Sequence, residues 1–150
     1  MANGWGGEGL ALVVGGLMRG CAVAARLAEC GGEVIIVEPG GELAADLGPR
    51  ARWPIVERLR ALGNLRVLLG ATLERVGEDG ALVRRKKGEE LRLEGVGLLV
   101  PALKLMPQDG LSVSLAEALP DLPVHLVGDC REPRDAFAAV QEGAALGRRL

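Results

Sequence analysis

The sequence predicts an α/β protein of Rossmann-like type: a βαβ parallel sheet, an inserted three-stranded antiparallel meander and a C-terminal strand–helix unit. Three observations carry that expectation. Short apolar runs end in glycines, an alanine-rich helical stretch lies between the first two, and the hydrophobic period changes midway to that of hairpins. Gly9 to Val14 is a continuous apolar run, as a strand buried on both faces reads. Met18 to Cys30 follows as a helix rich in alanine (Ala22, Ala24, Ala25, Ala28), stopped by Gly31-Gly32. Glu33 to Glu38 is the second buried strand, which completes a βαβ unit with an expected right-handed crossover.

Beyond a loop punctuated by Pro and Gly, Pro54 opens a helix with Ile55, Leu59 and Leu62 at helical spacing and Gly63 at its C′ position. Leu65 to Leu69 reads as a third parallel strand. Thr72 to Val76, Ala81 to Arg85 and Glu90 to Leu93 read as the meander, turned at Asp79-Gly80 and Lys87-Gly88. Gly97 to Val100 returns to the parallel sheet. Val124 to Val127 is a last strand, Gly128-Asp129 a turn, and Pro133 to about Arg149 a helix with Phe137, Val140 and Ala144 on one face. This divides the chain into residues 1–118, a dinucleotide-binding domain, and residues 119–150, a separate strand–helix segment.

Composition narrows the functional classes. The chain has 150 residues, 49% hydrophobic and 25% charged, with 23 glycines and only Trp5, Trp53 and Phe137 as aromatics. Few rings and many small residues suit closely packed α/β layers. A net charge of -2 offers no footprint for nucleic acid, and too few rings exist to stack bases. No apolar run reaches the ~18 residues of a membrane span, and Met1 to Gly9 lacks the pattern of a signal peptide. Cys21, Cys30 and Cys130 form no CxxC. At about 100° per residue, Cys21 and Cys30 face opposite sides of one helix. Reduced thiols in a cytoplasmic protein are the expectation. No metal site is read, and an iron–sulfur cluster needs about four thiolates.

The first βα turn carries the candidate chemistry. Val14-Gly15-Gly16-Leu17-Met18-Arg19-Gly20 matches the first and third glycines of G-x-G-x-x-G at Gly15 and Gly20, but Leu17 stands at the second. That position normally admits a pyrophosphate to bare backbone amides. Arg19, near the helix N-terminus, either pairs with a phosphate or is a solvated surface arginine. Glu38 lies 23 residues after Gly15, near the spacing at which an acid accepts ribose hydroxyls and disfavours a 2′-phosphate; a polar strand end is the plainer reading. The basic run Arg84-Arg85-Lys86-Lys87 reads as a solvated hairpin tip, and His125 as a packed strand histidine.

Two stretches make the order of elements familiar: "VVGGLMRGCAVAARLAECGGEVIIVE" (13–38) and "VGDCREPRDAFAAVQEGAALG" (127–147), with Asp46-Leu47-Gly48-Pro49-Arg50 between them. From about residue 10 onward the chain resembles the C-terminal half of NADH:flavin oxidoreductases that carry a pyridine-nucleotide–disulfide-oxidoreductase region. The 2,4-dienoyl-CoA reductases and trimethylamine dehydrogenases belong to that group. The resemblance implies a nicotinamide-binding domain inserted into an FAD- or ADP-binding domain. It also implies a role for Gly128 and Asp129 at flavin ribityl or ribose hydroxyls, so the cofactor expected is FAD or ADP at a partial site. NAD(H), held by Gly15, Gly16, Arg19, Gly20 and Glu38, is the alternative ligand.

Departures from the family pattern accompany the match. The family's A-x-G after the returning strand is Ala102-Leu103-Lys104 here, and Ala22 follows Cys21 where an acid is common. With Leu17, these changes imply a weakened or lost nicotinamide site. The trimethylamine dehydrogenase branch is a precedent, passing electrons to another protein without nicotinamide there. The first strand and glycine loop of the outer flavin domain, and an FMN barrel, are expected from elsewhere. The partner expected is therefore a flavin-bearing oxidoreductase subunit, with FMN and an iron–sulfur cluster as its candidate groups. The expected function is a nucleotide-binding subunit or fragment with an electron-transfer or assembly role. A competent NAD(H) module passing hydride to a partner flavin, and a ligand-free interaction domain, are the alternatives.

Overall fold

The computed structural model describes residues 9–78, 80–86 and 88–150. The N-terminal expectations for Met1 to Glu8, and the turn residues Asp79 and Lys87, lie outside the described residues. The chain divides into two units, Met1–Lys104 and Leu105–Leu150.

In the first unit, β1 (Leu10–Val14), β2 (Glu33–Glu38), β3 (Leu65–Leu69) and β7 (Val96–Pro101) form a parallel sheet in the order β3-β2-β1-β7. β4 (Ala71–Gly77), β5 (Gly80–Arg85) and β6 (Glu90–Leu93) form the antiparallel meander expected from the change of period. Alternation along the central strands assigns each residue a face. Ala11, Val13, Val34 and Ile36 pack with Cys21, Ala24, Ala25 and Ala28 of α1 (Met18–Glu29) and with Leu59 of α2 (Pro49–Arg60). Leu10, Leu12, Ile35 and Val37 pack with Ala71, Ala81, Val83 and Leu93 of the meander. The sheet is thus covered on both faces, which explains why β1 and β2 read as unbroken apolar runs. Small side chains on α1 let that helix lie close to the sheet.

The C-terminus of α1 is closed as its glycines suggest. Gly31 has φ +91°, and the Gly31 and Gly32 amides donate to the Ala28 and Leu27 carbonyls. Asn64 Nδ2 adds bonds to the carbonyls of Ala28 (2.8 Å) and Gly32 (2.7 Å), tying the α1–β2 connection to the start of β3.

α2 departs from expectation. It begins at Pro49, capped by Gly48, and carries Pro54 in its interior. Pro54 lacks the N–H that would bond the Arg50 carbonyl, but Arg50 is exposed, so water can satisfy that oxygen. Pro49 at the first helical position supplies the start signal instead. Gly63 takes no left-handed conformation, because the helix already ends at Arg60 with Ala61 as its C-cap.

In the second unit, α3 (Gly110–Ala118) was not expected, and α4 (Ala136–Gly147) begins later than Pro133. Asp135 caps α4, its Oδ1 accepting from the Ala138 amide at 2.8 Å. The expected strand at Val124–Val127 does not form. A strand requires a neighbour for its backbone groups, and the second unit has no other strand among its described residues. His125 is accordingly exposed and not packed in a strand. Neither α3 nor α4 buries a side chain fully, and Phe137 and Val140 are exposed.

Candidate functional site

In an open parallel sheet, ligands sit outside the carboxyl ends of strands where the strand order reverses. Here that point lies between β1 and β7, and the turn Gly15–Gly20 occupies it. Gly15 has φ +108°, and a Cβ there would lie 2.4 Å from the Ala102 carbonyl oxygen. A Cβ on Gly20 would meet the Gly15 oxygen at 1.9 Å. The two fingerprint glycines thus perform their turning and close-packing roles. Gly16 is confined as well, since a Cβ would lie 2.6 Å from Leu43 Cδ2. The Ala44 amide donates to the Gly16 carbonyl (2.7 Å), so the loop after β2 folds back onto the turn.

That loop and the end of β2 answer the turn's amides with the protein's own carboxylates. Gly16 N–H donates to Glu38 Oε2 at 2.6 Å, while Gly40 N–H donates to Oε1 of the same side chain at 2.6 Å. Met18 N–H, the first of α1, donates to Asp46 Oδ1 at 2.9 Å. Leu17, the N-cap between these amides, is extended and half-buried. Arg19 is exposed and has no ion pair among the described residues. Cys21 Sγ contacts the Gly16 carbonyl at 3.2 Å. Burial pushes the Cys21 thiol up, and the charges of Asp46 and Glu38 add to that shift.

As arranged, the turn does not fit a pyrophosphate. A phosphate on these amides would compete with the Glu38 and Asp46 carboxylates already seated there. Like charges about 4 Å apart repel by roughly 1 kcal/mol in water and about 4 kcal/mol near a protein surface. Glu38 keeps lone pairs for a ribose hydroxyl, since a carboxylate has about four acceptor positions. A cavity of about 500 Å³ lies elsewhere, lined by the loop after β2, α2 and β3, with Leu43, Val56, Leu59, Val67 and Leu69 among its residues. Its arginines are engaged, Arg52 with Glu42 at 2.5 Å and Arg60 with Glu57 at 3.0 Å.

The second unit repeats the pattern at its own glycine turn. Gly128, with φ +69°, is buried, and its amide donates to Glu142 Oε2 at 2.8 Å. Arg131 and Arg134 both pair with the other oxygen of Glu142. Asp129 is exposed, its Oδ1 holding a long 3.4 Å contact from the Arg134 amide.

The structure therefore brings Gly15, Gly16, Gly20 and Glu38 together in one turn. It leaves Arg19 at the edge of that turn and places Gly128 and Asp129 in the second unit. Sequence reading did not single out Asp46, Leu43 or Glu142. Asp46 caps a helix that starts 28 residues earlier in the chain, and no local spacing signals such a contact. Among the described residues, no group of His, Cys, Asp and Glu side chains could hold a metal ion. No helix among them is long and apolar enough to cross a membrane.

Comparison with known proteins bears on the same region. The family pyridine nucleotide-disulphide oxidoreductase matches residues 11–90, more than half the chain, and the protein belongs to that family. No curated protein sequence matches it. Histamine dehydrogenase from Rhizobium sp. 4-9 shares the fold with a TM-score of 0.84 at 18% identity, over 100% of this chain and 24% of that one. The 6-hydroxypseudooxynicotine amine oxidase of Pseudomonas geniculata N1 does so with a TM-score of 0.80 at 20% identity, over 95% of this chain and 22% of that one. A 2-naphthoyl-CoA reductase complex has a TM-score of 0.77 at 22% identity, over 94% and 21% of the two chains. The resemblance read from the sequence is met at this level, and the chain spans less than a quarter of each of these structures.

Proposed function

We propose that this chain is the Rossmann-like nucleotide-domain portion of a flavin-dependent oxidoreductase assembly, in which its role is electron-transfer support or assembly and not nicotinamide turnover. One observation carries the reading: the fold of nearly the whole chain recurs as 21–24% of much larger oxidoreductases. The exposed apolar side chains of α4 support it too, because a helix apolar on most sides is normally buried. In this reading FAD or ADP meets the second unit beside Gly128 through Asp129, since the Gly128 amide is already taken by Glu142. Asp129 has acceptor capacity free for ribityl or ribose hydroxyls, and the flavin chemistry resides on a partner bearing FMN.

Isothermal titration of the isolated protein with NADH tests the loss of nicotinamide binding. Heat-silent titration at millimolar NADH is expected, and micromolar affinity would contradict it. Arg19, which has no ion pair among the described residues, favours a second reading, a competent NAD(H) module in which that guanidinium meets a phosphate. Under that reading Arg19→Ala lowers NADH affinity, and Glu38 selects NAD over NADP.

A further inference from the structure

We propose that Asp46 is a built-in anion that occupies the phosphate position at the start of α1. With Glu38 on the adjoining amide and Leu17 between them, it sets the turn against phosphate-bearing nucleotides. This deepens the proposed loss of nicotinamide binding and rests on that part of the reading, not on the larger assembly.

The first amides of a helix attract anions because they lack intrahelical partners and sit at the positive end of the helix dipole. In this chain the demand is met internally. Asp46 Oδ1 takes the Met18 amide at 2.9 Å and Glu38 Oε2 takes the Gly16 amide at 2.6 Å, on either side of Leu17. Asp46 reaches the helix because the Ala44 amide pins its loop to the Gly16 carbonyl and the Leu47 amide closes a turn onto Ala44 at 3.0 Å. Ala44 has φ +48°, a conformation uncommon for a residue with a side chain, so the loop is held in the shape that delivers the carboxylate. Leu17 adds the steric component, since its side chain stands where a fingerprint glycine would leave the backbone bare.

The test uses inorganic pyrophosphate and NADH as probes in calorimetric titrations of the full chain. Four forms are compared: the wild type, Asp46→Asn, Leu17→Gly and the double variant. Asparagine keeps an oxygen for the Met18 amide while removing the charge, so the helix cap is retained. Cooperative thermal unfolding of each form confirms that it is folded. The wild type is expected to bind neither probe at millimolar concentration. The double variant is expected to gain at least about tenfold in affinity for pyrophosphate, with a smaller gain for either single variant. A folded double variant that still binds neither probe would overturn the role of Asp46 and Leu17 while leaving the loss of nicotinamide binding intact. Wild-type binding of NADH at micromolar concentration would overturn both. If the double variant does not fold, Asp46→Asn alone decides, and no gain over the wild type counts against the proposal.

Discussion

Gly20 and Gly31 separate two reasons for a glycine. At Gly20 a Cβ would meet the Gly15 oxygen at 1.9 Å, whereas at Gly31 nothing lies within 4 Å but φ is +91°. Gly20→Ala should therefore cost about 1–3 kcal/mol or more through overpacking, and Gly31→Ala about 1–2 kcal/mol through backbone conformation alone. Urea unfolding of the two variants measures both costs. Cys21 gives a pH prediction of definite sign. Its thiol is held up in the folded state, so the unfolded chain releases the proton first as pH rises. The stability tied to that thiol is present at neutral pH and is lost progressively above about pH 8.5. Alkylation should accordingly label exposed Cys30 well before buried Cys21. At this scale the glycines were legible because each answers a local spacing. Asp46 and Glu142 were not, because a carboxylate that caps a distant turn leaves no periodic mark.

Among the elements, the parallel strands and the meander were legible from hydrophobic period, since burial on two faces and burial on one face leave different patterns. The start of α2 was not. Two prolines compete for it, and the helix runs through Pro54, whose missing N–H falls opposite the exposed residue Arg50. The segment at 124–127 shows the opposite limit, because an apolar run forms a strand only where a neighbour accepts its hydrogen bonds. α3 lacks a strong signal for a related reason: its sequence buries no residue that would stamp a helical period on it. Asn64 supplies the prediction at this scale. Asn64→Ala removes two bonds to the carbonyls of Ala28 and Gly32, and should lower stability by about 1–3 kcal/mol. Protection of the neighbouring amides in hydrogen exchange should fall with it.

For the whole molecule, the core lies in the first unit, where one sheet separates two apolar layers. Leu59, at 1% exposure, anchors α2 to that sheet, and Leu59→Ala should cost about 2–5 kcal/mol in thermal or denaturant unfolding. The second unit has no comparable interior: its helices present Phe137, Val140 and Leu111 at the surface. The family was legible in the glycine turn, which lies within the matched residues 11–90, and the fold in the order of strands and helices of the first unit. Departures from the family turn were legible at Leu17, Ala22 and Lys104, whereas the contact of Asp46 with the Met18 amide comes from folding. Native mass spectrometry of the protein isolated from its own host under mild conditions tests the central claim most directly. The account predicts a heteromeric mass that contains a flavin-bearing polypeptide and no nicotinamide. A lone chain that carries a nicotinamide nucleotide would contradict it.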